Sequence, residues 1–140
     1  VDFKAKIKEN PVTGQGLPAY GTDILMNVIN EHGALPTRNF LQSQFEGAEA
    51  LSGEKLAQSF LVANKACFAC TIACGRVSKI KDARYPNAGE GPEYESAYGL
   101  GVICGISDLS AVIKANFICN ELGLDTISAG ATVAMAMEAF

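Results

Sequence analysis

Three cysteines fall within the stretch Cys67-Phe68-Ala69-Cys70-Thr71-Ile72-Ala73-Cys74-Gly75. The spacing Cys-x2-Cys-x3-Cys brings three sulfurs together in one short turn, where they can converge on one inorganic centre. Thiolate is the ligand type that selects iron–sulfur clusters or zinc. Either centre normally takes four protein ligands, and this segment supplies three. A fourth donor must come from elsewhere.

The chain has five cysteines, an odd number that fits a closed disulfide framework poorly. The other two, Cys104 and Cys119, lie inside apolar segments and read as core packing in a reduced, cytoplasmic protein. Spacing alone leaves two centres open. One is an iron–sulfur cluster; the other is a structural zinc site completed by Cys104, Cys119 or the lone His32. The first is favoured, because zinc sites more often come as two Cys-x2-Cys pairs or as cysteines followed by spaced histidines.

At 140 residues the chain is one domain's worth, and 49% apolar composition suits a globular core. Eleven basic against fifteen acidic residues give a net charge of −4, without the basic stripe of a nucleic-acid binder. No apolar run reaches the ~18 residues of a membrane span, and no secretory signal is visible. Val1 in place of methionine suggests processing or a fragment.

The expected fold is mainly α, a multi-helical domain with a short hairpin after the cysteine motif. Residues 1–19 read as an extended or turn-rich lead-in with one short helix. Thr22 and Asp23 start a helix whose Ile24, Leu25, Val28 and Ile29 share helical spacing before Gly33. Residues 35–40 form a loop around Pro36. Residues 53–63 predict a helix with Leu56, Phe60 and Leu61 inward. Residues 75–81 alternate as a strand or hairpin, and 86–92 read as turn. A further helix spans 93–104, weakened by Gly99 and Gly101. The clearest helix is 108–122, with Asp108 as N-cap, Gly123 as stop, and Leu109, Val112, Ile113, Phe117, Ile118 and Leu122 on one face. Ser128 caps a last helix over 129–140, which reaches the chain end without a stop signal.

Four segments in this order resemble a known family. They are Leu35-Pro36-Thr37-Arg38-Asn39-Phe40, the cysteine motif, Gly91-Pro92-Glu93-Tyr94-Glu95, and Asn120-Glu121-Leu122-Gly123-Leu124-Asp125-Thr126-Ile127-Ser128. Together they resemble the aldehyde ferredoxin oxidoreductases, tungsten or molybdenum enzymes with a bis-pterin cofactor. The resemblance covers essentially the whole chain. It implies a three-domain parent in which residues 1–140 form a single partial domain, the first part of the helical middle domain. The pterin-cradling N-terminal domain and the last helical domain, with the fourth cluster cysteine, then lie outside.

The resemblance places Cys67, Cys70 and Cys74 on a [4Fe–4S] cluster and makes Glu95 an acid near the metal that assists proton movement. Asn120, the backbone at Leu124, and Asp125 match the segment that hydrogen-bonds a pterin. Aspartate is common where Asn120 stands. Lys114-x-x-Phe117 replaces the Glu-x-x-His with which some members hold a lone metal at a dimer interface, so that metal is not implied, while a homo-oligomer stays open. The implied activity is oxidation of aldehydes to carboxylic acids, with electrons leaving through the cluster to ferredoxin. The implied partners are the remaining domains, ferredoxin and the aldehyde.

Each residue also has a plainer role. Glu93 and Glu95 suit the positive end of a helix, and Asp125 suits a cap. Arg76, Lys79, Lys81 and Arg84 form a basic stretch beside the cysteines, either a solvated face or a docking surface for an acidic ferredoxin. The rival functions are a stand-alone iron–sulfur electron carrier and a zinc-stapled helical interaction module.

Overall fold

The computed structural model describes residues 2–140. Seven α-helices and one three-stranded antiparallel sheet are present among them, so the chain is mainly α with a small hairpin-based sheet.

The lead-in is more helical than its prolines and glycines suggest. Asp2 caps α1 (Phe3–Glu9) by accepting from the amides of Lys4 and Ala5. A π-turn (Val12–Gly16) then runs into α2 (Leu17–Tyr20). Pro11 precedes the π-turn and Pro18 stands in the first turn of α2, where no amide donor is needed. Gly14 lets the turn close, since a Cβ there would lie 2.0 Å from the Lys8 carbonyl oxygen.

Gly21, at φ 68°, reverses the chain into a 3-10 turn (Thr22–Ile24) and α3 (Leu25–Glu31). This helix has two apolar rows. Met26 is buried and Ile29 packs on the core, whereas the expected inward residues Leu25 and Val28 are exposed. Periodicity cannot choose between rows one residue apart. The 35–40 segment is a loop as expected, but Arg38, Asn39 and Phe40 all take positive φ.

Ser52 caps α4 (Gly53–Ser59) through its hydroxyl and the Lys55 amide. The helix ends four residues before the expected position 63. Leu61–Lys65 is instead strand β1, paired antiparallel with β2 (Gly75–Ile80). The cysteine loop joins these strands, so a hairpin and not a helix delivers it. β3 (Asn87–Glu90) adds to the other edge of β2, in a stretch expected to be turn. Ala88 and Gly89 have no strand preference of their own; the ladder and the neighbouring ring decide. A Cβ on Gly89 would press on Phe117 Cε1 at 2.9 Å.

Helix α5 (Tyr94–Leu100) and a 3-10 turn (Val102–Cys104) lead to α6 (Leu109–Leu122). Asp108 caps α6 through the amides of Ser110 and Ala111, and Gly123 closes it at φ 68°. Leu109, Val112, Ile113 and Phe117 are buried as expected; Ile118 and Leu122 are exposed, and the buried face turns instead through Asn116 and Cys119. Helix α7 (Thr126–Ala139) starts earlier than position 129, because Asp125 and not Ser128 is the cap, accepting from the Ser128 amide at 2.7 Å.

The core joins Met26, Leu35, Leu51, Leu56, Val102, Val112 and Ile113, all fully buried. Each such side chain contributes about 1.5–3 kcal/mol on burial. Helices α5 and α7 lie side by side, with Ser96 Oγ 2.9 Å from Thr126 Oγ1 at their starts and Cys104 Sγ 3.5 Å from the Gly130 carbonyl further along. Both helices therefore begin at the same end of the domain. No single helix among the described residues is long and apolar enough to cross a membrane.

Candidate metal centre

The cysteine loop is shaped by two alanines. Ala69 and Ala73 both sit at φ 57°, a left-handed conformation that costs an L-residue about 1–2 kcal/mol. Each immediately precedes a cysteine, Cys70 and Cys74. The Cys70 amide bonds the Cys67 carbonyl at 3.0 Å, and the Ile72 amide points at Cys70 Sγ from 3.4 Å. The amides of Ala73 and Ile72 hold the Cys70 thiol below its ordinary range, which favours the thiolate form. Cys74 is partly buried. Burial pushes its thiol up, and the Glu93 carboxylate adds to this. A coordinating metal removes that proton outright.

Cys67 and Cys70 are exposed, and all five cysteines are free thiols. Among the described residues no three His, Cys, Asp or Glu side chains come close enough to hold a single metal ion. The donors considered for completing a zinc site stand elsewhere. Cys104 and Cys119 are core residues, and His32 is exposed at the end of α3, its Nδ1 2.7 Å from the Val28 carbonyl.

Beneath the loop lies Arg76, which belongs to no surface. It is 1% exposed, and its guanidinium donates only to backbone carbonyls. Nε donates to Cys74 at 2.9 Å, Nη1 to Ala19 at 3.1 Å, and Nη2 to Leu17, Pro18 and Ala73 at 3.2, 3.0 and 3.1 Å. The basic stretch loses a second member at Arg84, which pairs with Asp82 and Asp108. Lys79 and Lys81 remain exposed.

Next to Arg76 is a polar pocket of about 180 Å³, lined by residues including Gly75, Glu90, Gly91, Glu93, Asn116 and Asn120. Asn116 is 3% exposed and donates to the Glu90 carbonyl at 2.8 Å, and Asn120 reaches the same oxygen at 3.4 Å. Gly91, at φ 89°, has no room for a side chain, since a Cβ would lie 2.7 Å from Asn116 Nδ2. Its amide bonds the Arg76 carbonyl at 2.9 Å. One wall of polar groups thus runs from the cysteine loop to α6.

The remaining expected residues stand apart from this pocket lining. Glu95 is exposed in the first turn of α5, so it occupies the helix-start position. Tyr94 and Tyr98 flank it; burial first, and then the Glu95 charge, push the Tyr94 hydroxyl up to about 12, leaving it a neutral donor. Leu124 and Asp125 are exposed between α6 and α7. The Leu124 amide is spent on the Cys119 carbonyl at 2.8 Å, closing the end of α6. A ligand can therefore use only its carbonyl. One Asp125 oxygen caps α7, and the other is free to accept among the described residues.

Sequence reasoning missed Asn116, gave Asp23 and Glu93 only helix-start roles, and misplaced Arg76. Glu93 does not cap α5; it accepts from Thr22 Oγ1 at 2.6 Å and faces Arg76, Asp23 and Cys74. Asp23 is wholly buried with both carboxylate oxygens lacking hydrogen bonds among the described residues. A buried charge looks like any surface charge in sequence, so no local signal showed that Asp23 and Glu93 would face Arg76.

The profile of the family described as aldehyde ferredoxin oxidoreductase, domains 2 and 3, matches residues 1–140. The chain is 53% identical over 137 residues to a tungsten-containing aldehyde ferredoxin oxidoreductase of Pyrococcus abyssi. The match takes in 96% of this chain and 22% of that protein. It is 51% and 50% identical, with the same coverage, to the proteins of the same name from Thermococcus kodakarensis and Pyrococcus furiosus. The chain thus spans about a fifth of the length of these relatives. With the profile matching from end to end, the chain belongs to the aldehyde ferredoxin oxidoreductase family, a family of oxidoreductases.

Proposed function

We propose that the chain is the cluster-bearing helical part of a tungsten-dependent enzyme that oxidises aldehydes to carboxylic acids and delivers the electrons to ferredoxin. The names of its relatives support the reaction and the metal. The observation that carries the reading is the cysteine loop. In a loop with two alanines at positive φ, the Ile72 amide points at Cys70 Sγ, the type of contact that stabilises a thiolate-held cluster and sets its potential.

Cys67, Cys70 and Cys74 hold three corners of a [4Fe–4S] cluster, and the fourth ligand comes from outside these residues. A tungsten–pterin centre, when bound, supplies the two-electron chemistry by which an aldehyde and water become an acid. Around it this chain binds and orients. Asn120, the Leu124 carbonyl and the free oxygen of Asp125 offer one donor and two acceptors to the edge of a pterin. Glu95 holds or moves a proton at its carboxylate as water is added to the carbonyl carbon. Lys79 and Lys81 supply the positive field for an acidic ferredoxin.

The full-length protein, produced anaerobically with tungstate, tests this directly. About four irons and four sulfides per chain, a brown colour bleached by dithionite, stoichiometric tungsten and aldehyde-dependent reduction of ferredoxin are expected. Zinc without iron would replace the reading with a zinc-stapled module. Iron without tungsten or aldehyde turnover would replace it with an electron carrier.

A further inference from the structure

We propose that Arg76 is a positioning residue for electron transfer: it anchors the cysteine loop and raises the reduction potential of the centre that loop holds. The inference rests on the cluster reading above and adds a named electrostatic device to it.

A guanidinium stays charged at every working pH, and a buried one is nearly always paired with a carboxylate. Arg76 is buried to 1% exposure, yet all five of its hydrogen bonds end on neutral carbonyls. Two of these belong to Ala73 and Cys74, the end of the cysteine loop. Three belong to residues 17–19 of α2. The planar fork therefore ties the loop to a helix distant in sequence, and its charge has no salt-bridge partner. Glu93 faces both Arg76 and Cys74 but spends its hydrogen bond on Thr22.

Two carboxylates face this charge without bonding it: Asp23, which burial pushes toward its neutral form, and Glu93, and the field that remains acts on the nearest charge that can change. Burial limits solvent screening of that field. A cluster held by thiolates is anionic, and taking up one electron makes it more so, with no bond formed or broken in the protein. A fixed cation beside Cys74 favours the reduced state, and Glu93 opposes it. Ordinary packing would explain the carbonyl contacts but predicts no change in potential when only the charge is altered.

The test is a redox titration of the purified full-length holoenzyme, followed by the electron paramagnetic resonance of the reduced cluster. Arg76→Gln should lower the equilibrium constant for one-electron reduction at least tenfold, about 59 mV for such a couple. Arg76→Lys keeps the charge but not the fork, so it should stay within about threefold of the parent while losing iron occupancy. Glu93→Gln keeps an acceptor for Thr22 and should shift the potential upward. An Arg76→Gln enzyme that retains iron with an unchanged potential overturns the proposal. If that variant does not fold, Arg76→Lys decides: a potential lowered by tenfold or more although the charge is kept overturns it instead. An iron-free parent enzyme removes the cluster reading as well, and is seen before any variant is made.

Discussion

Asn116 Nδ2 donates to the carbonyl oxygen of Glu90 at 2.8 Å, and through that bond the middle of α6 holds the end of β3. The next residue, Gly91, is fixed in turn to the Arg76 carbonyl. Cysteine loop, sheet and α6 are therefore linked by backbone contacts around one buried amide.

Replacing that amide tests the link. Asn116→Leu leaves the Glu90 carbonyl with only the longer bond from Asn120 and puts apolar bulk against Gly91. The expected loss is about 1–3 kcal/mol of unfolding stability, measured by denaturant titration of the full-length protein. Asn116→Asp, which lacks the donor, should lose a similar amount. Stability equal to the parent in both variants would show that the bond holds nothing.

The parallel pair α5 and α7 depends on a missing side chain. A Cβ on Gly130 would stand 1.7 Å from the Gly99 carbonyl oxygen, a distance no packing tolerates. Gly130→Ala must push the helices apart and is expected to lower stability by about 1–3 kcal/mol. Gly123→Ala is the comparison. It has nothing within 4 Å and costs only the strain of a left-handed residue, about 1 kcal/mol. Melting temperatures should fall further for Gly130 than for Gly123, and the reverse order would contradict the close approach.

Cysteines of the loop and of the core should separate cleanly on metal analysis. Cys70→Ser removes a sulfur that an amide already addresses and should abolish most bound iron in the holoenzyme. Cys104→Ala removes a buried thiol whose contacts are the Gly99 and Gly130 carbonyls. It should keep full iron content and lose only about 1 kcal/mol of stability. Iron lost equally from both variants would mean that Cys104 is a ligand.

What sequence reveals here follows from where the chemistry is local. The start and stop of α6 are legible because Asp108 bonds amides two and three residues on, and Gly123 supplies a left-handed turn. The cysteine loop is legible because its ligands are contiguous. β1 and β3 are not, since the partner of each is β2 and, Val62 apart, the residues themselves have little strand preference. Arg76 reads as solvated because nothing nearby shows that carbonyls from residues 17–19 will surround it. Glu95, Leu124 and Asp125 came only from motif resemblance, and they stand apart from the pocket that Asn120 lines.

Asp23 should leave a signature in the dependence of stability on pH. Its carboxyl is raised well above the ordinary 3.8, first by burial and then by Glu93, with Arg76 opposing and Glu54 adding to the rise. From 3.8 upward to the raised value, the folded chain keeps a proton that the unfolded chain has released. The unfolded state then binds fewer protons, so stability falls as pH rises through that window and levels off above it. Asp23→Asn cannot titrate and should flatten this part of the curve. Denaturant midpoints of the two proteins, measured from about pH 4 to about pH 8, should therefore diverge in favour of the variant as pH increases. Parallel curves would mean that Asp23 binds its proton no more tightly folded than unfolded.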